Sequence, residues 1–483
     1  MNDSVTAAPV IYWYRQDLRL ADLPGLSEAA QSASVLPCYV HDHSAPHDWA
    51  LGGASRWWLH HSLDQLASDI AGHGGQLVLL QGETCRVLCG LVRASGAKEV
   101  HASHAAEPWA RSLQRELAGS LRQLGARLVL HNGSLLFRPS EIRTQSGGPF
   151  KVFTPFWRRC RGHTAPAEPD GISKHLKFFG GDVEGVDIDA LGLLPSNPNW
   201  ATGWESHWQP GSEGADSAMQ QFISKALSGY AEDRNIPSVQ GTSRLSPHLH
   251  FGELSPNRLW HTITALARAQ PEQEGQAEKF LSELGWREFS YHLLYHFPTL
   301  TESAFKPEFD RFPWLGSAEL LQAWQRGQTG YPIVDAGMRE LWATGYMHNR
   351  VRMIVASFLT KHLLIDWRSG ARWFWDTLVD ADLANNTCSW QWVAGSGADA
   401  APYFRIFNPT LQGKKFDASG AYVRRWVPEL EALPKKYVHE PATAPTSVLE
   451  EAGVRLGENY PQPIVDHAAA RQSALDAYQS IRD

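Results

Sequence analysis

The chain has 483 residues, 43% hydrophobic and 20% charged, which describes a folded globular protein of two or three domains and excludes a disordered one. A net charge of −7 excludes a uniformly basic nucleic-acid coat, although a local basic groove remains compatible with it. The unusual number is 20 Trp, of which fourteen lie from Trp200 onward, so the second part of the chain makes special use of indoles.

Residues 10 to about 133 alternate between β-rich apolar runs and helical patterns. Strands are expected at Val10–Tyr14, Val35–Val40, Leu77–Leu80, Glu99–Ala102 and Leu128–Leu130. Helices are expected at Ser55–Ala71, Thr84–Ala94 and Pro108–Leu124, with Ser55 as an N-cap and Gly72, Gly96 and Gly125 just past the helix ends. This alternation predicts an α/β domain with a parallel, doubly wound sheet. The first strand runs into WYRQDLRLAD, so the glycine fingerprint of a dinucleotide fold is absent. From about 139 to 215 Pro, Gly, Ser and Asn become frequent and periodicity fades, which reads as a long linker. Residues 216–483 read as an all-α domain. Its helices are expected after Ser255-Pro256 and at Glu278–Phe297, Asp335–Tyr346, Arg350–Leu364, Gly370–Leu378 and Asp466–Ile481. The expected division is 1–138, 139–215 and 216–483.

Cys38, Cys85, Cys89, Cys160 and Cys388 follow no zinc spacing; they are expected as buried thiols in a reduced cytoplasmic protein, and no metal is expected. The start MNDSVTAAPV lacks a basic segment followed by an apolar one, so no signal peptide is expected. No apolar run is long enough for a bilayer.

Three segments could carry chemistry. Thr242, Ser243 and Ser246 surround Arg244 ahead of a helix start, which suits a diphosphate, although hydroxyls there are more often caps. DADLANNTCSWQW sets Asp380 and Asp382 before Asn385, Asn386, Trp390 and Trp392, and Asp380 is the natural partner for Arg350 and Arg352. ELGWREF puts Glu283, Trp286 and Arg287 on one helix face, able to grip a planar polar ligand or simply to form a surface ion pair over a core indole.

Together these segments resemble the DNA photolyase/cryptochrome family, most closely the class I cyclobutane pyrimidine dimer (CPD) photolyases. The match runs in order through WYRQDLRL, VFTPFWRR, YAEDRNIP, TSRLSPHLHFGELSP, ELGWREF, TGYPIVDAGMREL, TGYMHNRVRMI, IDWRSG, DADLANNTCSWQW, FRIFNP and KFDASGAYVRRWVPEL. The resemblance implies FAD, with Tyr230, Thr242, Ser243, Arg244, Leu245, Ser246 and Arg287 on the phosphate side and Asn349, Arg352, Asp380, Asp382 and Asn386 on the ring side. Asn386 stands where several cryptochromes carry Asp or Cys. The (6-4) photolyases carry histidines where this chain has Asn349 and Met353, neither of which can act as a general acid. Glu283, Trp286, Asn349, Met353 and Trp392 match the family's CPD-contact set, and the target dinucleotide is extruded from the duplex. The implied chemistry is light-driven electron transfer from fully reduced anionic FAD to the dimer, ring splitting and return of the electron. Trp390, Trp367 and Trp314 match the family's electron path to the surface.

The implied partner is UV-damaged DNA, bound by a monomer through a local basic rim. Arg158, Arg159, Arg161, Lys415, Arg424 and Arg425 are candidates, with Arg234 and Lys414 preferred. A second, antenna chromophore is expected on the N-terminal domain, methenyl folate rather than a deazaflavin. Glu107 matches a folate-contact region, whereas Gly52 stands where folate-binding relatives often carry His. The alternatives are a cryptochrome-type photoreceptor and a photolyase for another lesion, such as the (6-4) product or dimers in single strands. Asn386 and the short stretch after WVPEL argue against the photoreceptor.

Overall fold

The computed structural model describes residues 8–44, 46–400 and 404–482, without the His47 side chain. Residues 1–7, on which the expectation about a leader mainly rests, lie outside the described residues. The chain packs into two units, one of Met1–Lys225 with Ser243–Pro298 and one of Ala226–Thr242 with Thr299–Asp483.

The first unit is built on five parallel strands: β1 (Val10–Tyr14), β2 (Val35–His41), β3 (Val78–Gln81), β4 (Glu99–Ser103) and β5 (Arg127–His131), in the order β3-β2-β1-β4-β5. The interposed helices are α1 (Pro24–Ser32), α2 (Gly53–Gly72), α3 (Thr84–Ser95) and α4 (Pro108–Gln123). The expected parallel, doubly wound sheet is therefore present, and side-chain alternation along each strand fixes what each face meets. Ile11, Trp13, Leu36, Cys38, Val100 and Ala102 face α3 and α4 in one apolar core. Tyr12, His101 and His131 lie on the other face, where α1 packs, and a Cβ on Gly25 of α1 would come within 2.7 Å of the His131 ring.

The loop after β1 is stapled by its own motif. Asp17 accepts from Tyr12 Oη (2.7 Å), Ser103 Oγ (2.6 Å) and the Arg15 N–H (2.8 Å). Buried Arg19 donates to the carbonyls of Gly252 and Gly133, so WYRQDLRL holds the sheet to the segment around residue 252.

Three local expectations are corrected. Ser55 does not cap α2; Gly52 is the N-cap, and Ser55 lies buried inside the first turn. Gly72 belongs to α2, and the positive φ falls on Gly74 instead, whereas Gly96 (φ +72°) and Gly125 (φ +68°) sit where a left-handed residue ends a helix. The expected helix Arg350–Leu364 stops at Ser357 and continues as a π-turn over Phe358–His362. Four cysteines are buried and Cys388 is half-buried; none is in a disulfide.

The remaining helices of the first unit are α5 (Phe153–Arg161) and α6 (Ser212–Lys225), then, beyond the short α7 (Tyr230–Asp233) of the second unit, α8 (Ser246–Phe251), α9 (Pro256–Ala269) and α10 (Glu274–His296). The second unit continues with α11 (Ala318–Gln325), α12 (Pro332–Thr344), α13 (Asn349–Ser357), α14 (Trp367–Thr377), α15 (Leu383–Ala394), α16 (Pro409–Phe416), α17 (Ala421–Trp426), α18 (Thr446–Glu451) and α19 (His467–Ser480). Asp335 anchors this bundle: its buried carboxylate accepts from the Thr329 hydroxyl and N–H (2.7 Å each), the Gly330 N–H (3.0 Å) and Tyr460 Oη (2.7 Å). Lys361, on the π-turn, donates to the terminal carbonyls Val393 and Ala394 of α15, with its amine 3.7 Å from the Phe404 ring centre. Burial pushes this amine well down from its ordinary value, and its two bonds pin the carbonyl end of the helix that carries the candidate residues.

Candidate functional site

In the first unit α10 carries Glu283, Trp286 and Arg287. The alternative of a Glu283–Arg287 surface pair is not what forms. Glu283 pairs with Lys279 one turn earlier at 3.0 Å. Arg287 turns inward to Glu288 Oε1 (3.3 Å) and the Leu249 carbonyl (3.3 Å), with its guanidinium over the Tyr291 ring. Glu288 completes this buried polar knot. Its Oε2 accepts from the N–H groups of Leu136 (3.0 Å) and Phe137 (3.1 Å), and burial pushes its carboxyl up to about 7 against the pull of Arg287. Sequence reading missed Glu288, although it stands inside the ELGWREF motif.

Trp286 is half-buried and lies flat on Phe153 of α5, with ring centres 3.8 Å apart and planes 9° apart. Phe153 also stacks towards Trp157 and meets Phe289 edge-on. Gly285 makes this approach possible, since a Cβ there would sit 2.7 Å from the Trp157 ring. Phe153 was hidden in VFTPFWRR, where the basic residues took the attention; its spacing to Phe156 and Trp157 is the helical signal that could have found it.

Ser243 Oγ accepts from the Leu245 N–H (3.3 Å), and Leu245 is buried. Arg244 adopts φ +53°, and its guanidinium covers the Trp208 ring at 4.1 Å. Ser246 opens α8 as an exposed residue. The surrounding indoles are mainly packing: Trp57 meets Trp204, and Trp58 meets Trp208, each at 5.4 Å.

In the second unit Arg352 of α13 donates through one guanidinium nitrogen to both Asp380 oxygens (3.1 and 2.9 Å) and through Nε to the Met347 carbonyl (2.7 Å). Arg350 also reaches a partner that the sequence did not suggest. It bonds Asn235 Oδ1 and lies 4.4 Å from the Phe416 ring centre, while its other amine points at Met353 Sδ. Asn349 and Met353 are one turn apart on α13. Asp382 caps α15 by accepting from the Asn385 N–H (2.8 Å), which is the structural role open to a carboxylate in that turn.

Asn386 donates its amide N–H to the Ala371 carbonyl at 2.9 Å. That carbonyl can only accept, so the amide orientation is fixed and Oδ1 is left as the acceptor. A reduced flavin carries an N–H at its N5 position, so this donor and acceptor set fits FAD in that state. The Arg352–Asp380 pair adds a held cation beside a held carboxylate.

Trp390 and Trp367 are buried, and Trp314 is half-buried. Trp390 sits against Gly370, where a Cβ would come within 2.1 Å of its ring, one turn along α14 from Trp367. Leu315 N–H donates to the Leu364 carbonyl (2.6 Å), which ties the Trp314 segment to the chain just before Trp367. Phe374 (5.0 Å) and Trp324 (6.2 Å) meet the Trp390 ring edge-on. Trp392 is half-buried, two residues on. Of the preferred DNA contacts, Arg234 lies 5.5 Å from the Tyr230 ring centre and Lys414 pairs with Glu440 at 2.8 Å. Thr242 is half-buried.

The first unit also holds a cleft of about 750 Å³, counting its open mouth, lined by Arg15, Ser103, Glu107, Asn132, Arg138 and Tyr295 among others. Gly52 is not among its lining residues.

Residues 10–172 match a family model described as DNA photolyase, and residues 280–480 match one described as the FAD binding domain of DNA photolyase. A protein named deoxyribodipyrimidine photo-lyase from Agrobacterium fabrum is 49% identical over 99% of this chain and 99% of its own length. Cryptochrome-2 of Arabidopsis thaliana is 37% identical over 98% of this chain and 79% of its own. A crystal structure of a bacterial class III photolyase from Agrobacterium tumefaciens is 48% identical and covers 100% of this chain and 99% of its own, with a TM-score of 0.95. The class I label expected from the motifs is not supported, because this full-length likeness is to a class III protein.

Proposed function

The chain belongs to the DNA photolyase/cryptochrome family, and from that premise we propose that it splits cyclobutane pyrimidine dimers in DNA under light. Bound, fully reduced FAD supplies the photoexcitable electron donor. The observation that carries the reading is the fixed Asn386 amide, whose acceptor oxygen suits the reduced cofactor, in a chain similar over its whole length to a deoxyribodipyrimidine photo-lyase.

The residues divide the work. Tyr230, Thr242, Ser243, Arg244, Leu245, Ser246 and Arg287 hold the phosphate side of FAD. Asn349, Arg352, Asp380, Asp382 and Asn386 hold the ring side; the Arg352 cation, kept in place by Asp380, favours negative charge nearby. Trp286 and Trp392 offer flat apolar walls to the fused pyrimidines, and Asn349 and Met353 complete the lesion-contact set. Glu283 hydrogen-bonds the pyrimidine edge, for which its carboxylate must share or leave Lys279. Trp390, Trp367 and Trp314 pass an electron inward when the cofactor starts oxidised. Arg234 and Lys414 contact phosphates. The 1–138, 139–215 and 216–483 segments are the antenna-binding domain, linker and catalytic domain of a cytoplasmic monomer.

The cleft beside Glu107 takes the antenna, methenyl folate in preference to a deazaflavin. The buried Glu107 carboxylate suits the amide edge of a pterin, and Arg15 and Arg138 suit a glutamyl tail.

The test is a lesion panel. The photoreduced flavoprotein is illuminated with oligonucleotides carrying one CPD or one (6-4) product, and restored bases are separated by chromatography. Restoration of the CPD alone is expected. Restoration of the (6-4) product alone would move the reading to that lesion. Restoration of neither would favour the photoreceptor reading, to which the likeness to Cryptochrome-2 gives weight.

A further inference from the structure

On the α1 face of the sheet two buried histidines lie within a polar chain, where apolar packing is the norm. Arg127 Nη2 donates to Glu99 Oε1 at 2.6 Å. The other Glu99 oxygen lies 3.0 Å from His101 Nε2. His101 Nδ1 faces His131 Nε2 at 3.0 Å, with the two rings within 15° of parallel. The far nitrogen, His131 Nδ1, looks at Glu28 Oε2 from 3.7 Å. His101 and His131 are buried, at 1% and 8% exposed, and Glu28 reaches them from the exposed side of α1.

Hydrogen-bond direction along this chain has one consistent solution with both rings neutral. Glu99, an ionised carboxylate, can only accept, so His101 Nε2 carries the proton and Nδ1 is a bare acceptor. His131 Nε2 must then donate to it. That leaves His131 Nδ1 with a lone pair directed towards the Glu28 carboxylate, two acceptors facing each other with nothing to share. A cation between them resolves the conflict.

We propose that Glu28, His101 and His131 form a site for a divalent transition metal of the zinc type. One ligand atom from each of the three lies within 4.8 Å of the others. Two imidazoles and a carboxylate are a donor set that zinc accepts at about 2.0–2.2 Å, with water in the fourth position on the open Glu28 side. The Glu99–His101 bond is the outer-shell arrangement that orients a ligating imidazole and raises its basicity. On metal binding the His131 ring gives up its bond to His101 and both rings turn their lone pairs inward. Gly25 is what lets the His131 ring sit against α1, since any side chain there would strike it. The site would tie α1 to the β4–β5 edge. No spacing pattern in the sequence announces it, because its ligands come from one helix and two strands, at positions 28, 101 and 131.

The test uses the purified flavoprotein, stripped with a chelator, incubated with ZnCl₂, desalted and assayed for bound metal and thermal midpoint. One zinc per chain and a midpoint raised by a few degrees are expected, both reversed by chelator. Glu28→Gln, at an exposed position that cannot unfold the protein, should weaken retention about tenfold or more, and His131→Gln should abolish it. Flavin content reports that each variant is folded. Absence of retained zinc in the parent protein, or equal retention by the parent and Glu28→Gln, would overturn the proposal, the latter by placing the metal on other histidines.

Discussion

Phe153→Ala removes a ring to which no contact with lesion or flavin is assigned, yet it should weaken lesion binding through Trp286, which it backs. Phe153 is 8% exposed, and its truncation leaves a cavity among Trp286, Trp157 and Phe289. A buried Phe→Ala change costs about 3–5 kcal/mol, of which about 0.5–1.5 kcal/mol belongs to an aromatic pair of this geometry. The functional part is smaller. Without its backing Trp286 must be ordered by the lesion itself, at about 0.5–1.5 kcal/mol for one side chain, or roughly a two- to tenfold loss of affinity. Fluorescence anisotropy with a CPD duplex and an undamaged duplex of the same sequence reads this directly, and urea unfolding reads the stability. The loss should appear on the damaged duplex alone. Phe153→Leu, which refills most of the volume without a flat face, should recover stability more than affinity. Unchanged CPD affinity in a folded Phe153→Ala protein would refute the role of Trp286 as a lesion wall held by Phe153.

Trp390→Phe should abolish photoreduction of oxidised FAD while sparing repair by chemically reduced protein; equal photoreduction, followed by flavin absorbance, would contradict the electron path. Arg352→Ala removes two charged hydrogen bonds from the Asp380 carboxylate, which is 4% exposed. It should cost about 2–4 kcal/mol, below the full value for a buried pair because Arg352 is itself 22% exposed, and should lower FAD content after purification. Acid should destabilise the fold from pH 6.5 downward. Burial lowers His41 and His348 to about 4 and His292 and His362 to about 3, so below pH 6.5 the unfolded chain takes up protons that the folded chain refuses. Each such histidine removes about 1.4 kcal/mol per pH unit until its folded pKa is reached. Glu288, held near 7, acts in the opposite sense, losing stability as pH rises from about 4.5 to 7, and the buried Asp335 and Asp417, also raised by burial, add to it; the histidines are expected to outweigh them. Urea midpoints between pH 4 and 8 measure the balance, and a midpoint that rises on acidification below pH 6 would show the histidines to be solvated.

The sheet was legible because its strands are short apolar runs at helix-sized intervals, whereas the face of β1 that meets α3 and α4, carrying Ile11 and Trp13, was not, because all five residues Val10–Tyr14 are buried. Local chemistry was misread where two residues compete. Ser55 is the better cap by type, but the turn begins at Gly52, and the hydroxyl is carried inside the helix. The Arg350–Leu364 pattern looks continuous because a π-turn keeps helical residue types while changing the register. The Arg352–Asp380 pair was foreseeable from charge, whereas the bond of Arg350 to Asn235 depends on a partner 115 residues away. The same holds for Glu288 with Leu136 and for His101 with His131, since periodicity reports which face a residue occupies and not what another segment brings to meet it.

The most direct measurement is the count of restored pyrimidines from a single-CPD oligonucleotide mixed with the fully reduced flavoprotein, in light and in darkness. Restoration in light at substoichiometric protein, with none in darkness, is the expected result. Failure to restore the CPD in light, with the flavin verified as fully reduced and the oligonucleotide bound, would contradict dimer repair as the function of this chain.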